Sequence, residues 1–234
     1  MSVKYKEIAD DIEKDLLAGK YNETKKLPRE EDLIEQYQVS RTTIRKAIGM
    51  LVNKGYIYQV QGSGIFIRET SLQEYVSLEN LKGLTRDFPN KKIESTIIEI
   101  KIIKADEALA KKMKCEENCD VYFVKRLRCV NNEPFAVEYS YFNKNIIPYL
   151  NEDIAKQSIY SYIINDLKLS IGFADKVIYA DKLDSDEADF LNLKDNDPTL
   201  VIESTVFLTN GNVFEVSKVI HNYRNTKLLK LANF

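Results

Sequence analysis

Apolar residues in the first part of the chain recur at the spacing of amphipathic helices. Ile8, Ile12 and Leu16 lie four residues apart and therefore share one helical face. They predict a first helix over Tyr5–Ala18. Its acidic side chains, including Glu13, are expected to face solvent or a partner.

Two further helices are predicted before residue 56. A short one spans Glu30–Tyr37. A longer one begins after Ser40, which has the residue type of an N-cap, and stops before Gly55. Its apolar stripe consists of Ile44, Ala47, Ile48, Leu51 and Val52.

A small hairpin follows these helices. Two strands are predicted at Tyr56–Val60 and Ile65–Arg68, on either side of a Gly62-Ser63-Gly64 tip. Helix, turn, helix and hairpin in this order predict a winged helix-turn-helix.

Beyond residue 80 the pattern changes to strands. Six are predicted, over Ser95–Ile103, Val121–Val130, Phe135–Phe142, Phe173–Ala180, Thr199–Leu208 and Val213–Tyr223. Helices are predicted over Asp106–Lys112, Ser158–Leu167 and Ser185–Leu191. Two-residue hairpin turns are predicted at Asn131-Asn132 and Asn210-Gly211. The fold class is therefore α+β, with a winged helix-turn-helix followed by an antiparallel sheet with helices.

The predicted domains are residues 1–70 and 82–234, joined by a linker over 71–81 that is rich in Ser and Glu. An internal echo relates Asp106–Val137 to Ser185–Val216 at an offset of 79 residues. Duplication and a chance similarity of two hairpins both explain this echo.

Charge marks one face of the first domain. The chain has a net charge of −2, yet it contains no Asp or Glu between Gln36 and Arg68. Helical periodicity directs the polar residues at the start of the third helix away from the core. A basic, acid-free surface of this kind indicates contact with a polyanion, since phosphates supply most of the affinity for nucleic acid. The candidate DNA-binding residues are Arg29, Ser40, Arg41, Thr42, Thr43, Arg45, Lys46, Gly62, Ser63 and Gly64.

The first domain resembles the GntR family of bacterial transcription regulators over residues 4 to 68. The motifs that carry the resemblance are Leu27-Pro28-Arg29-Glu30, Val39-Ser40-Arg41-Thr42-Thr43-Ile44-Arg45-Lys46-Ala47, Gly55-Tyr56-Ile57 and Gly62-Ser63-Gly64-Ile65-Phe66-Ile67. Where the family often has Glu-Arg-Glu, this chain has Glu30-Glu31-Asp32, which leaves Arg29 as the candidate phosphate contact. Ser63 replaces the basic residue usual at the tip. Both departures lower the positive charge offered to DNA.

Residues 80–230 resemble the UTRA effector domain of the HutC subfamily, closest in type to its sugar-operon regulators. The matching segments are Gly83-Leu84-Thr85-Arg86-Asp87-Phe88, Lys125-Arg126-Leu127-Arg128, Pro134-Phe135-Ala136-Val137-Glu138, Ser158-Ile159-Tyr160 and Phe214-Glu215-Val216-Ser217. The resemblance implies a chorismate-lyase-like fold in which paired arginines and Ser-x-Tyr hold a phosphate and glutamates hold sugar hydroxyls. The candidate effector-binding residues are Thr85, Arg126, Arg128, Glu138, Ser158, Tyr160, Glu215, His221 and Tyr223.

The arginine pair also stands out on physical grounds. Arg126 and Arg128 are two apart on a strand, so both leave the same face, among apolar neighbours. Burying two guanidiniums requires an acid or an anionic ligand. Structural salt bridges to Glu138 and a phosphate clamp both fit this pattern.

Other candidates have equally plain alternatives. Ser158 serves either as an ordinary N-cap or as an anion ligand at a helix start. Glu215, Ser217, His221 and Tyr223 alternate along one strand. His221 is read either as a satisfied core residue or as part of a pocket lining.

The sequence favours a cytoplasmic, homodimeric repressor that binds operator DNA and responds to a phosphorylated sugar, with a β-glucoside 6-phosphate as the first guess. A non-sugar acid as effector and a chorismate-lyase-like enzyme fused to a DNA-binding domain are the alternatives. No catalytic set is apparent. No metal or cofactor is predicted, because Cys115, Cys119 and Cys129 with a single His do not form a zinc ligand pattern.

Overall fold

A computed structural model describes residues 4–68, 75–78, 84–88 and 90–230. It divides the chain into two compact units, Met1–Ser71 with Lys230–Phe234, and Leu72–Leu229. Of the predicted linker, only residues 75–78 lie within the described part, and Gly83 of the UTRA-like motif lies outside it. No helix in the described segments is long and apolar enough to cross a membrane.

The first unit is a winged helix-turn-helix, as predicted. Its elements are α1 (Lys4–Leu17), α2 (Glu30–Tyr37), α3 (Arg41–Asn53), β1 (Ile57–Val60) and β2 (Gly64–Ile67). Buried residues from every helix form the core, among them Ile12, Leu33, Ile44, Ile48 and Leu51. The strands pair antiparallel, with Val60 opposite Gly64.

Local chemistry ends α2 and starts α3. Gln38 ends α2 in the left-handed region at φ 50°, and Ser40 caps α3 by accepting a hydrogen bond from the Thr43 N–H at 3.3 Å. Glu13 does not face solvent, contrary to the expectation from helical periodicity. It is buried between the Lys54 ammonium at 2.5 Å and the Tyr56 hydroxyl at 2.9 Å, which compensate its charge.

The second unit is built on a six-stranded antiparallel sheet. In chain order its elements are β3 (Val76–Ser77), α4 (Leu84–Asp87), β4 (Ile93–Lys104), α5 (Glu107–Met113), β5 (Asp120–Val130), β6 (Glu133–Asn143), α6 (Glu152–Lys156), α7 (Ile159–Asn165), β7 (Ile171–Lys182), α8 (Ser185–Leu191), β8 (Pro198–Leu208), β9 (Val213–Asn222) and β10 (Leu228–Leu229). The sheet order is β4-β5-β6-β9-β8-β7, and β3 pairs with β10 separately. All six predicted strands and three predicted helices are present; α4, α6 and the β3–β10 pair were not predicted.

The sheet order is symmetric about the β6–β9 seam, which favours duplication as the source of the echo. Asp106 and Asp184 cap α5 and α8 in the same way, and both helices end in the left-handed region. The irregularities after Arg128 in β5 and Val206 in β8 are 78 residues apart. The repeat is therefore present in the structure as well as in the sequence.

The two hairpin turns differ. Asn131 and Asn132 have φ of 52° and 68°, as a two-residue turn requires. The predicted two-residue turn at Asn210-Gly211 is wrong, because only the glycine has a positive φ. Gly211 N–H donates to the Leu208 carbonyl and Leu208 N–H to the Asn212 carbonyl, both at 2.9 Å. This is a three-residue loop, which adds one residue to the second repeat.

The two faces of the sheet are covered by different helices. The buried cluster on one face combines Val124 and Phe142 of the sheet with Ile159 and Ile163 of α7. On the other face Val137 packs with residues of α8, and Val121 with residues of α5. The polar site described next lies on the α7 face.

Candidate functional site

A cavity of about 140 Å³ opens on the α7 face of the sheet. Strands β5 to β9 form its floor, while β3, α4 and the start of α7 form its walls. Polar and charged side chains dominate the lining: Ser77, Thr85, Asp87, Arg126, Arg128, Glu138, Ser140, Ser158, Tyr160, Lys176, Ser204, Glu215, Ser217 and His221. The structure thus brings together all but one of the predicted effector-binding residues.

Arg126 and Arg128 meet Glu138 at one end of this cavity. Arg126 and Glu138 are cross-strand partners in β5 and β6, and Nε donates to Glu138 Oε2 at 2.6 Å. Arg126 Nη1 donates to the Ala155 carbonyl at 2.8 Å, which ties α6 to the sheet. Arg128 Nη1 lies 3.4 Å from both Glu138 oxygens, and its Nη2 donates to Thr85 Oγ1 at 3.4 Å.

The electrostatics of this cluster leave it with excess positive charge. Both arginines are buried, with 7% and 3% of their surface exposed. Burial lowers the pKa of Arg128. Burial alone would raise the pKa of Glu138, but the two guanidiniums outweigh it and hold that pKa below its usual value. One carboxylate therefore faces two guanidiniums, so an anion would complete the charge balance.

Glu215 and Tyr160 occupy another part of the cavity. The Tyr160 hydroxyl donates to Glu215 Oε2 at 2.6 Å, and its ring meets Phe214 edge-on. Burial raises the pKa of Glu215 to about 7. Burial and the Glu215 charge also raise the pKa of Tyr160 well above its ordinary value. The pair therefore offers hydrogen-bonding groups to the cavity.

Ser158 and His221 each make a structural contact and also line the cavity. Ser158 caps α7 by accepting from the Ser161 N–H at 3.2 Å, and it also lines the cavity. His221 is buried in the core with Nδ1 at 3.0 Å from the Leu200 carbonyl, and it also lines the cavity. Burial lowers the pKa of His221, which favours the neutral ring.

Tyr223 does not belong to the cavity, contrary to the sequence-based expectation. Strand β9 ends at Asn222, whose side chain donates to the Pro134 carbonyl at 3.1 Å and accepts from the Arg224 N–H at 3.0 Å. The strand alternation stops there, and Tyr223 is 40% exposed. Its hydroxyl accepts from Arg224 Nε at 3.1 Å.

Sequence reasoning did not select several polar residues of the cavity as binding candidates. Ser140, Ser217, Ser204 and Lys176 are successive cross-strand partners through β6, β9, β8 and β7. They form a polar row across the floor. Ser204 interrupts an otherwise apolar face of β8, which is a detectable signal, but the row is visible only once β9 is known to lie between β6 and β8.

In the first unit, the predicted recognition residues line one exposed surface. Ser40, Arg41, Thr42, Arg45 and Lys46 are exposed, and the half-buried Thr43 contacts Ser40 through its hydroxyl at 2.9 Å. Arg29 is exposed and opens α2, where its N–H donates to Asp32 Oδ2 at 3.0 Å. This is the position at which a helix-turn-helix presents base and phosphate contacts.

Two acids of α2 hold the arginines of this surface. Arg41 Nη2 lies 2.9 Å from Glu31 Oε1, and Arg45 Nε lies 3.0 Å from Glu30 Oε2. Sequence reasoning identified Glu31 as a departure from the family pattern but did not predict these two ion pairs.

The wing tip has no crowding around its glycines. Gly62 and Gly64 have φ of 76° and 120°, values that favour glycine, and Ser63 between them is exposed. No atom lies within 4 Å of a Cβ built at either glycine. The tip therefore offers bare backbone to a partner.

Comparisons with known proteins agree with both units. Residues 4–67 match the family described as bacterial regulatory proteins, gntR family, and residues 90–226 match the UTRA domain. The chain is 37% identical to the uncharacterised HTH-type transcriptional regulator YydK of Bacillus subtilis, covering 99% of this chain and 98% of that protein. It is 26% identical to the mannosyl-D-glycerate transport/metabolism system repressor MngR of Escherichia coli, covering 97% and 95%.

A solved structure is similar over the whole chain. The crystal structure of YydK from Bacillus subtilis gives a TM-score of 0.82 at 36% identity, and the match covers 99% of this chain and all of that one. The architecture of both units is therefore that of a solved protein described as a possible transcriptional regulator.

Proposed function

The chain belongs to the GntR family of bacterial transcription regulators and carries a UTRA domain, and on this basis we propose that it is a repressor released or recruited by a phosphorylated sugar. The observation that carries the proposal is the buried cluster in which two guanidiniums face one carboxylate at the wall of a polar cavity. A phosphate would supply the missing negative charge.

The rest of the cavity suits the body of a sugar. Glu215, Tyr160 and the serine row offer acceptors and donors to hydroxyl groups. The volume of about 140 Å³ is close to the roughly 150 Å³ of a dry apolar cavity that binds benzene. A phosphorylated sugar is larger than benzene, so part of the ligand would extend through the opening. A β-glucoside 6-phosphate is the first candidate, with its second group directed to the opening.

The DNA side of the proposal rests on the exposed surface of α3 and on the wing. Arg41, Arg45 and Lys46 contact bases or phosphates, Arg29 contacts a phosphate, and the backbone of Gly62–Gly64 approaches the duplex. Residues 1–70 are the DNA-binding domain and residues 82–234 the effector domain. Relatives named as repressors, such as MngR, support repression.

A homodimer completes the proposal. One winged helix reads a half-site, and operators usually reflect the two-fold symmetry of the protein. Sedimentation of the full chain at micromolar concentration tests the assembly, and a monomer both with and without operator would exclude it.

Calorimetry on the full chain tests the effector. Sugar 6-phosphates should bind and their unphosphorylated sugars should not, because the anion is what the arginine cluster lacks. Arg128→Ala should abolish the heat, whereas Arg224→Ala, which removes an exposed arginine outside the cavity, should leave it unchanged. Equal heats from a sugar and its phosphate would refute the phosphate clamp.

The same ligand must also change operator affinity. Coupling free energies between two sites are typically ~1–3 kcal/mol, or about 5- to 150-fold in affinity. Operator titration with and without the bound sugar phosphate measures this coupling and its sign. An operator affinity that ignores a bound ligand would contradict the regulatory role.

A further inference from the structure

Two buried polar atoms of the cavity lining have no hydrogen-bond partner: Asp87 Oδ1 and Arg128 Nε. Within the described residues, the other buried side-chain atom without a partner is Thr226 Oγ1, which does not line the cavity. Nearly all buried polar atoms in folded proteins are paired, and an unpaired one costs stability. An acceptor and a donor left open in one cavity point to a ligand that carries both complements.

Asp87 is the last residue of α4, which forms one wall of the cavity. Burial raises its pKa to about 7, against the opposing effects of Lys176 and the backbone N–H of Ser77. The carboxyl is thus held in the cavity at a cost that its protein neighbours only partly offset.

Arg128 and Asp87 are connected through the same helical turn. Thr85 accepts from Arg128 Nη2 at 3.4 Å and lies two residues before Asp87. Both open groups therefore line one cavity, Asp87 from α4 and Arg128 from β5.

We propose that Asp87 is an effector-binding residue whose Oδ1 accepts a hydrogen bond from a hydroxyl or ammonium group of the ligand while Arg128 Nε donates to its anionic group. This inference rests on the proposed function and extends it. The ligand class is a monosaccharide phosphate, or its amino derivative, which carries a hydrogen-bond donor in addition to its phosphate. Inorganic phosphate satisfies only the arginine end.

Two variants of the full chain separate this role from a structural one. Asp87→Asn keeps the shape and removes the charge, and Asp87→Ala removes both. Neither should lower the unfolding temperature of the ligand-free protein, because each removes a buried, incompletely paired carboxyl. Asp175→Asn is the matched control: it removes an exposed acid from β7, next to Lys176 but outside the cavity lining.

The measurement is calorimetry and thermal unfolding with inorganic phosphate, glucose 6-phosphate, glucosamine 6-phosphate and a β-glucoside 6-phosphate. For the sugar phosphate that binds the native protein, Asp87→Ala should lose about tenfold or more in affinity, the effect of removing a hydrogen bond to a charged group. Its affinity for inorganic phosphate should change less than about twofold, and Asp175→Asn should behave as the native protein does.

The outcomes separate the two levels of inference. If a sugar phosphate binds the native protein and Asp87→Ala equally well, the role of Asp87 is refuted and the proposed function stands. If both Asp87 variants unfold at lower temperature and keep the ligand-induced rise in full, Asp87 is structural. If no phosphate in the panel binds the native protein, the proposed function itself fails, and this inference with it.

Discussion

The same pair of residue types, arginine and glutamate, occurs in both units in opposite environments. In the effector domain, Arg126 is buried and Glu138 is largely buried, with 8% and 14% of their side chains exposed, and the two side chains meet at 2.6 Å. In the DNA-binding domain, Arg41 and Glu31 meet at 2.9 Å with 56% and 65% of their side chains exposed. Water and ions screen the pair of Arg41 and Glu31, so its arginine can readily exchange the glutamate for a phosphate. The pair of Arg126 and Glu138 is fixed, because separating it would leave a charge unpaired inside the protein.

Breaking the buried pair should have the largest effect. Arg126→Ala leaves Glu138 with only the longer contacts to Arg128 and frees the Ala155 carbonyl of α6. Removal of one partner from a buried pair costs about 3–5 kcal/mol. Urea unfolding of the full chain, followed for the unit that contains the sheet, measures this loss. Arg41→Ala should change the free energy of unfolding by less than about 0.5 kcal/mol. Equal losses for the two variants would abolish the distinction.

Glu215 is a buried acid that accepts its hydrogen bond from Tyr160. Its contribution to stability should depend on pH in the opposite sense to that of Glu138, whose pKa is lowered. The folded pKa of Glu215 is about 7, above its ordinary 4.5, so its stabilising contribution is complete below pH 4.5 and is lost as pH rises through 7. A shift of this size corresponds to roughly 3 kcal/mol. His221, whose pKa is lowered by burial, changes stability in the other direction.

Glu215→Gln isolates the carboxyl from the histidine. Between pH 5 and 8 the native protein should lose stability relative to this variant, as measured by urea unfolding at each pH. Parallel curves for the two proteins would mean that Glu215 is ionised throughout.

The exposed arginines should matter for DNA and not for folding. Arg41→Ala and Arg45→Ala should each weaken operator binding by roughly 1–3 kcal/mol, the value of a good base contact. Fluorescence titration at fixed salt measures the change. Unaltered affinity in both variants would remove α3 from its role as the recognition helix.

The smallest effects concern charge at the edge of the DNA surface. Glu31→Gln releases Arg41 and removes a negative charge, so operator affinity should rise modestly. Ser63→Arg adds a charge at the wing tip and should steepen the dependence of binding on salt by up to about one unit. Thr24→Arg, which adds the same charge at an exposed residue outside α3 and outside the wing tip, is the control for the first unit. Identical slopes for Ser63→Arg and the control would mean that the wing does not reach the duplex.

The sequence predicts elements that are long enough to show a period. The strands β4 to β9 and the helices α1 to α3 all repeat their pattern at least twice. Helices α4 and α6 have only four and five residues, too few for a 3.6-residue period to be recognised. The wrong turn at Asn210-Gly211 arose because the dipeptide alone does not determine whether the asparagine adopts a positive φ.

The residues of the candidate site also differ in whether a local sequence pattern predicts them. Arg126, Arg128 and Glu138 could be grouped from strand alternation and from one short hairpin. Asp87 and Lys176 reach the cavity only through long-range packing of α4 and β7, which chain order does not specify. Tyr223 was misplaced because alternation was extended one residue past the end of β9.

The internal repeat of the effector domain also bears on how a cavity with one charged end originates. Two identical units joined along a seam like that of β6 and β9 would have equal charges on both sides. Here the residues 78 positions after Arg126 and Arg128 are Ser204 and Val206. Fusion into one polypeptide lets each copy mutate independently. A ligand with one anionic end and one neutral end can therefore be recognised by a fused gene product, whereas a symmetric ancestor could not distinguish its two ends.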